Sequence, residues 1–238
     1  MAIVLIHGFT QNARCWGPVA TDLEQDHDVV RVDAPGHGVA SDVECSFEEG
    51  AARLAAAGGA GTYVGYSMGG RYALRIALDQ PALVERLVLI GASPGLADPI
   101  ERAARRRADD ALATHVEHIG VPAFLDEWLD LPLFAGLHPA MTFLDERLTN
   151  TSTGLASSLL TAGTGAQEPL WDRLGELSMP VLLVVGTDDA KFTAIAEQMA
   201  SRIGTNASVA AIPRAGHTAH LEQPDAFLAV LRAWFATT

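Results

Sequence analysis

Short apolar runs, each bounded by turn-forming residues, recur along the chain. They occupy residues 3–6, 29–32, 63–64, 87–90, 181–185 and 208–212. β-Branched residues are frequent in them and polar residues do not alternate with apolar ones, which is typical of strands covered on both faces. Between these runs lie helical stretches, at 67–79, 189–202 and 224–238. The alternation predicts an α/β fold with a mostly parallel sheet and right-handed crossovers.

The strand–helix alternation stops at one place in the chain. Between about Gly95 and Trp171 only helical patterns occur, at 99–118, 121–129, 139–149 and 153–163. Helices inserted between two strands of a parallel sheet are expected to cover the carboxyl ends of the strands, where ligands of such sheets bind. We therefore predict a core of residues 1–96 and 171–238 with an inserted helical lid of residues 97–170. The alternative is a second packed subdomain without a role in binding.

The composition is that of a globular protein, since 49% of the 238 residues are hydrophobic and 19% are charged. The formal net charge is −13, which disfavours nucleic acid and anionic membranes as partners, because these attract basic faces. A local basic pocket is still possible. The chain has 16 basic side chains, of which Lys191 is the only lysine.

The cysteine content and the hydropathy pattern indicate where in the cell the protein is expected to act. Cys15 and Cys45 are too few for a disulfide scaffold or a four-cysteine zinc site. No apolar stretch approaches the length that spans a bilayer, and the opening residues lack the features of a secretory signal. We expect a cytoplasmic protein, either a monomer or a small homo-oligomer.

The pentapeptide Gly65-Tyr66-Ser67-Met68-Gly69 is the most informative motif. It follows a predicted strand and opens a predicted helix, which is the context that a G-x-S-x-G nucleophile turn requires. The two glycines permit a cramped turn that exposes the Ser67 hydroxyl. The helix N-terminus behind it supplies unpaired N–H groups and positive potential. We therefore predict that Ser67 is catalytic rather than part of an ordinary turn.

A catalytic serine needs a base, and the base needs an orienting acid. The strand at 181–185 runs into Asp188 and Asp189, and the last predicted strand leads to His217. The chain order serine, aspartate, histidine is that of the α/β hydrolases, and the sequence resembles this superfamily over almost its whole length. We predict a triad of Ser67, Asp189 and His217, with Asp188 as the alternative acid.

The loop His7-Gly8-Phe9 after the first strand carries the same resemblance. It implies an oxyanion hole formed by the main-chain N–H groups of Phe9 and Met68, with His7 holding the loop. Members of the superfamily usually have two antiparallel strands before this loop. Here the strand that leads to His7 begins near the first residue, so we expect those two strands to be missing.

Further patterns narrow the resemblance. An arginine, Arg71, follows the nucleophile by one helical turn; residues 94–109 read P-G-L…R-x-x-R…D; residues 128–137 read W-x-x-x-P-x-F-A-x-L; and residues 189–192 read D-x-K-F. Together they resemble the 2-succinyl-6-hydroxy-2,4-cyclohexadiene-1-carboxylate (SHCHC) synthases of menaquinone biosynthesis. The D-x-K-F match is the reason for preferring Asp189 over Asp188.

The resemblance implies a set of substrate-binding residues: Tyr66, Arg71, Arg105, Trp128 and Arg147. Its substrate carries several carboxylates, and guanidinium groups bind carboxylates through a bidentate fork. Arg105 belongs to the run 105–107, of which at most one or two members can face a pocket, because successive helical residues diverge by about 100°. The alternative for this run is a solvated helix face.

The resemblance also implies an elimination rather than a hydrolysis. The triad would abstract a carbon-bound proton, and an enolpyruvyl cyclohexene substrate with several carboxylates would then lose pyruvate. This small anionic substrate is the only implied partner, and neither a metal nor an organic cofactor is implied. The alternatives are a serine carboxylesterase or C–C bond hydrolase with the same triad, and a non-catalytic binding protein of hydrolase-like fold.

Overall fold

The computed structural model describes residues 2–238, so Met1 of the predicted core lies outside the described part. The strands are β1 (Ala2–Ile6), β2 (Asp28–Val32), β3 (Gly61–Tyr66), β4 (Val84–Ile90), β5 (Val181–Gly186) and β6 (Ala207–Ile212). They form one sheet in the order β2-β1-β3-β4-β5-β6, and each of the neighbouring pairs is parallel. Each strand contains one of the predicted apolar runs.

The helices of the core lie between these strands. They are α1 (Gly17–Leu23), α2 (Phe47–Gly58), α3 (Met68–Asp79), α7 (Ala190–Ile203), α8 (Ala219–Glu222) and α9 (Pro224–Phe235), while α4 (Pro99–Leu129), α5 (Leu144–Arg147) and α6 (Ser152–Ala162) lie in the predicted lid. Helix α2 begins at a capping box in which Ser46 accepts from the Glu49 N–H and Glu49 from the Ser46 N–H.

Two apolar cores cover the two faces of the sheet. Helices α2, α3 and α7 pack on one face and helices α1 and α9 on the other. Consecutive residues of β4 show the alternation, since Leu87 and Leu89 belong to the first core and Val88 and Ile90 to the second. Burial on both faces explains why the strands read as continuous apolar runs.

The strand order places two loops side by side at the carboxyl edge of the sheet. The chain moves from β1 to β2 on one side and to β3 on the other, so the order reverses between the neighbours β1 and β3. Ligands of open α/β sheets bind at such a reversal point. The loop that begins at His7 and the turn at Ser67 leave the sheet there.

The lid region contains one long, broken helix and two shorter ones. Helix α4 is interrupted at Gly120, whose φ is 76°, and packs against α6 through an apolar cluster that includes Val116, Phe124 and Leu155. The prediction of one helix over 139–149 was wrong. A 3-10 turn at Pro139–Met141 and the four-residue α5 replace it, because Phe143 between them has a left-handed φ of 52°.

None of the helices within residues 2–238 combines the length and the hydropathy needed to cross a bilayer.

Candidate active site

The turn between β3 and α3 holds Ser67 in a strained conformation, with φ 49° and ψ −108°. Glycine is required on both sides of it by close backbone contacts. A Cβ on Gly65 would lie 2.4 Å from the Gly69 carbonyl oxygen, and one on Gly69 would lie 2.1 Å from the Ile6 carbonyl oxygen. The motif therefore has two glycines because β1, the turn and α3 meet without room for a side chain.

Ser67, His217 and Asp189 lie in one hydrogen-bonded line. The Ser67 Oγ is 3.2 Å from Nε2 of His217, and Nδ1 of His217 is 2.9 Å from Oδ2 of Asp189. His217 is 4% exposed. This arrangement allows the imidazole to take the hydroxyl proton of the serine while the carboxylate orients the ring.

Asp189 is placed by the start of α7. Its Oδ1 accepts a hydrogen bond from the Phe192 N–H at 3.1 Å, so the carboxylate caps the helix as well as contacting His217. Burial raises the pKa of Asp189, but the hydrogen bonds from His217 and the Phe192 N–H lower it more, and the net pKa lies below its usual value. The neighbouring Asp188 accepts from the Thr187 hydroxyl at 3.2 Å instead.

The loop that carries His217 is held by Glu222, a residue that the sequence motifs did not single out as functional. One carboxylate oxygen accepts from the Gly216 N–H at 2.7 Å, and the other from the N–H and hydroxyl of Thr218 at 3.0 and 2.6 Å. The same carboxylate lies against Gly136 of the lid, where an added Cβ would be 2.2 Å from it. Glu222 therefore braces the loop on both sides of His217.

His220 and Tyr66 form a buried aromatic support under His217. The Tyr66 ring centroid lies 4.5 Å from that of His220 and 5.5 Å from that of His217. Burial, together with the positive charge of the nearby Arg147, lowers the pKa of His220 to about 3. Burial raises the pKa of Tyr66 above its usual range. Both rings are therefore uncharged at neutral pH.

The loop after β1 is held by His7. Its Nε2 accepts from the Ala34 N–H at 3.0 Å, so its Nδ1 carries the proton and donates to the Gly8 carbonyl at 2.8 Å. Burial lowers the pKa of His7, which keeps this neutral form. Phe9 follows in the same loop and, like Met68 at the first position of α3, lines the cavity that contains Ser67. First-turn N–H groups lack helical partners, so a donor at Met68 suits an oxyanion.

A cavity of about 230 Å³ opens over Ser67. The predicted residues Phe9, Met68, Arg71, Arg105 and Trp128 line it together with Ser67 and His217. Residues of α6 complete the wall: Ser158, Leu159 and Ala162. The helices inserted after β4 therefore form one side of the cavity, and the sheet edge forms the other.

Arg71 is a buried cation in this wall, 8% exposed. Its guanidinium donates to the Gln167 side-chain oxygen at 2.8 Å and to the Ala162 carbonyl at 2.7 Å. Both of these partners are neutral, and Arg71 makes no salt bridge within residues 2–238. Burial lowers the pKa of Arg71, but a guanidinium remains charged at neutral pH.

Arg105 is the member of the run 105–107 that lines the cavity. Its side chain is 44% exposed, and its Nε donates to Oδ1 of the buried Asp109 at 2.7 Å. Arg106 pairs with Asp110 at 3.4 Å on the outer face of α4. Part of the charge of Arg105 is therefore already neutralised by a carboxylate of its own helix.

Arg147 lines a second cavity beside Ser67 and is 1% exposed. A narrow cavity of about 30 Å³ is lined by Arg147, Tyr66, Ser67 and His217 among others. The Arg147 guanidinium donates to the Thr142 carbonyl at 2.6 Å and to the Thr10 hydroxyl. No carboxylate pairs with it in the described part of the chain. The five predicted binding residues thus surround Ser67 through these two cavities.

Asn150 connects Arg147's segment to the loop after β1. Its side-chain N–H donates to the Thr10 carbonyl at 2.7 Å, and its side-chain oxygen accepts from the Gly38 N–H at 2.8 Å. Thr10 has a φ of 66° and is fully buried. The polar residue types at 149–151 gave no signal for this role, because the contacts join segments more than 100 residues apart.

Trp128 packs the lid against the loop after β1. Its ring centroid lies 5.2 Å from that of Phe9 and 5.8 Å from that of Phe124. Its indole Nε1–H is buried without a hydrogen-bond partner in residues 2–238, so this donor is available to a ligand in the cavity. No group of three or more His, Cys, Asp or Glu side chains in this same range is arranged to hold a metal ion.

Comparison with known proteins identifies the family of this chain. Residues 3–230 match the model of the Alpha/beta hydrolase family. The chain belongs to the alpha/beta hydrolase family. The predicted fold is therefore confirmed, and this hydrolase-fold chain carries its serine, aspartate and histidine in the order expected for the family.

The relatives of this alpha/beta hydrolase include proteins named 2-succinyl-6-hydroxy-2,4-cyclohexadiene-1-carboxylate synthase. The protein from Serratia proteamaculans (strain 568) is 31% identical over 97% of this chain and 91% of its own length. That from Salmonella newport (strain SL254) is 32% identical over 97% of this chain and 94% of its own length. The predicted resemblance to SHCHC synthases is confirmed.

Two solved structures are similar to this chain over its whole length. MenH from S. aureus has a TM-score of 0.89 and 30% sequence identity and covers 100% of this chain and 94% of its own. A thermophilic esterase from Thermogutta terrifontis has a TM-score of 0.82 at 24% identity, covering 100% of this chain and 90% of its own. The second likeness shows only the shared fold.

Proposed function

We propose that this chain is an SHCHC-synthase-like lyase of menaquinone biosynthesis, which eliminates pyruvate from an enolpyruvyl cyclohexene substrate with several carboxylates. The observation that carries the proposal is Arg147, a buried guanidinium beside Ser67 and His217 that has no carboxylate partner within residues 2–238. A buried cation of this kind is costly unless an anion pairs with it. An esterase for neutral substrates has no use for such a group.

The proposed chemistry starts with proton transfer. His217 takes the proton of the Ser67 hydroxyl, 3.2 Å away, and the serine oxygen removes a proton from a carbon of the substrate ring. The electron pair of that C–H bond forms a new ring double bond, and the bond between the ring and the enolpyruvyl oxygen breaks. The leaving enolate takes a proton from the histidine and becomes pyruvate, so atoms and charges balance.

Charge that develops on the substrate during proton removal needs stabilisation. The main-chain N–H groups of Phe9 and Met68 are suited to an enolate-type oxygen. Arg71 and Arg147 are suited to two separate carboxylates, because they line two different cavities beside Ser67. Asp189 holds the imidazole in the tautomer that can accept the serine proton. These steps use only groups of the chain itself.

The test is pyruvate release from the enolpyruvyl precursor, followed by a coupled lactate dehydrogenase assay. The wild-type protein should release pyruvate and form SHCHC in equal amounts. Ser67→Ala should lose nearly all of the rate, by a factor of about 10³ or more, while its unfolding curve stays unchanged. A neutral ester, p-nitrophenyl acetate, serves as the competing substrate.

The alternative function is a serine carboxylesterase or C–C bond hydrolase, which the same triad suits. Rapid hydrolysis of the neutral ester with a burst phase, and no pyruvate from the precursor, would replace our proposal with this alternative. No turnover of either substrate would favour a binding protein of hydrolase fold instead.

A further inference from the structure

A second, outer cavity adjoins the catalytic cavity. It has a volume of about 540 Å³ and lies between the first turns of α4, helix α7 and Trp171. The two cavities share four lining residues: Arg105, Thr164, Lys191 and Phe192. These four residues lie where the two cavities meet, and we call this boundary the passage.

The cations along this passage differ in their partners. Arg105 pairs with Asp109 at 2.7 Å, and Arg202 of the outer cavity pairs with Asp172 at 3.3 Å. Lys191 makes no ion pair with any residue in the range 2–238. Its ammonium lies 5.6 Å from the centroid of the Phe192 ring. Lys191 is thus the cation at this passage whose charge has no carboxylate partner.

The position of Lys191 in its helix is unfavourable for a cation. It is the second residue of α7, two residues after the cap Asp189, and the positive end of a helix dipole disfavours positive side chains. The sequence has fifteen arginines and one lysine, and that lysine lies at the start of α7, where a positive charge is unfavourable. The acidic groups that face the outer cavity are Asp98 and Glu101, on the first turns of α4.

We propose that Lys191 is an anion-binding residue at the passage, which binds the outermost carboxylate of the substrate while Arg71 and Arg147 bind inside. The inference rests on the proposed function, since it names a contact of the same ligand. It adds a binding residue outside the predicted set, and it assigns the passage to dicarboxylates or tricarboxylates rather than to neutral or monoanionic compounds.

The kinetic test compares three variants in the pyruvate assay. Lys191→Met should raise KM about tenfold with little change in kcat, because one charge-assisted hydrogen bond to the substrate is lost. Lys191→Arg should restore most of the affinity, because it keeps the charge. Arg202→Met, in the wall of the same outer cavity but already paired with Asp172, is the matched control and should leave KM unchanged.

The single lysine permits a second test that does not depend on turnover. Acetic anhydride acetylates Lys191 and the terminal amine, and mass spectrometry follows the peptide that contains residue 191. Succinate should slow acetylation of Lys191, whereas dimethyl succinate, which has the same skeleton without charge, should not. Acetylation of the terminal amine is the internal control, because it corrects for differences in reagent concentration between the two samples.

The outcomes separate the two proposals. Equal acetylation of Lys191 with succinate and with dimethyl succinate, together with an unchanged KM in Lys191→Met, would overturn the role of Lys191 and leave pyruvate elimination intact. A fall in kcat with a shifted pH profile, at constant KM, would also overturn it, because Lys191 would then act through Asp189. Protection by succinate without pyruvate release would support the anion site and reject the lyase.

Discussion

The turn that carries Ser67 and the lid helix that carries Arg105 differ in what positions their side chains. Ser67 is held by backbone contacts within a few residues and by β1, where an added methyl on Gly69 would meet the Ile6 carbonyl at 2.1 Å. Arg105 is held by one ion pair on its own helix and remains 44% exposed. The position of Ser67 is therefore set by backbone contacts, whereas that of Arg105 is set by a single side-chain contact.

This difference distinguishes the residues proposed for the chemical step from those proposed to bind the substrate. The proposed reacting groups, Ser67, His217 and Asp189, lie at the edge of the sheet, where strand ends and tight turns determine their positions to within a hydrogen bond. The groups suited to substrate carboxylates lie on both sides of the cavity, and two of them, Arg105 and Arg147, come from the inserted helices. Changes in the turn should therefore affect kcat, and changes in the lid should affect KM.

The largest expected effect is at Asp189, in the rigid part of the site. Asp189→Asn should lower kcat for pyruvate release by about 10³–10⁴, because asparagine favours the wrong imidazole tautomer. Asp188→Asn is the matched control and should change kcat by no more than about twofold, since Asp188 contacts Thr187 rather than His217. An equal loss in both variants would contradict this assignment of the acid.

The next largest effect distinguishes two arginines of the lid. Arg147→Met should raise KM about 100-fold, because a buried, unpaired guanidinium makes the stronger contact with a carboxylate. Arg105→Met should raise KM only about tenfold, because Asp109 already shares its charge. Steady-state kinetics on proteins with matched unfolding curves measures both. A larger effect at Arg105 would reverse the order that their burial predicts.

A smaller effect concerns the stability of the turn itself. Gly69→Ala should lower the free energy of unfolding by about 1–3 kcal/mol or more, because β1 must move to admit the methyl group. Gly175→Ala is the control, since its nearest neighbour atom would lie at 3.7 Å, and it should change stability by no more than about 0.5 kcal/mol. Urea unfolding gives both values. A stable Gly69→Ala variant would show that the turn is adaptable.

The smallest effect is a pH dependence of the stability, due to His220 beneath His217. Burial lowers the pKa of His220 to about 3, so the unfolded chain binds a proton below about pH 6.5 that the folded chain does not. The stability due to neutral His220 is present above about pH 6.5 and is lost as the pH falls, by about 1.4 kcal/mol per pH unit. His220→Phe should remove this part of the pH dependence of the free energy of unfolding.

The measurement for His220 is urea unfolding at about pH 7.5 and about pH 5.5, in wild type and variant. Phenylalanine suits the site, because His220 packs on the rings of Trp16, Tyr66 and Phe227. Carboxylates and the buried His7 contribute equally to the pH dependence of stability in both proteins. The difference between the two proteins in that pH dependence is therefore due to His220. If the free energy of unfolding changed equally with pH in both proteins, burial would not be what lowers the pKa of His220, and the prediction would be wrong.

Local patterns predicted the features that depend on neighbouring residues. The six strands, the turn at Ser67 and helix α6 lie where the apolar periodicity and the glycines indicated. The helix predicted at 139–149 failed because the pattern did not reveal the left-handed conformation of Phe143. That conformation depends on packing, since Phe143 contacts the distant Gly17, where an added Cβ would be 2.4 Å from its ring.

Glu222, Asn150 and the choice among three consecutive arginines required the folded chain. The Glu222 carboxylate joins the His217 loop to Gly136, and Asn150 joins Thr10 to Gly38. Such contacts connect segments that are far apart in sequence, so no local pattern encodes them. The choice of Arg105 depends on the angle at which α4 crosses the cavity, which packing against α6 sets.

By itself, the sequence determined the alpha/beta hydrolase fold, the order of its elements and the candidate triad, because strand burial and tight turns leave short-range signatures. It also indicated the SHCHC-synthase relationship through four short motifs. The tertiary structure decided which cations have carboxylate partners and which do not. Among residues 2–238, Arg105 has a carboxylate partner, whereas Arg71, Arg147 and Lys191 have none. Pairing depends on distances between side chains from separate helices, and these distances exist only once the lid is packed on the sheet.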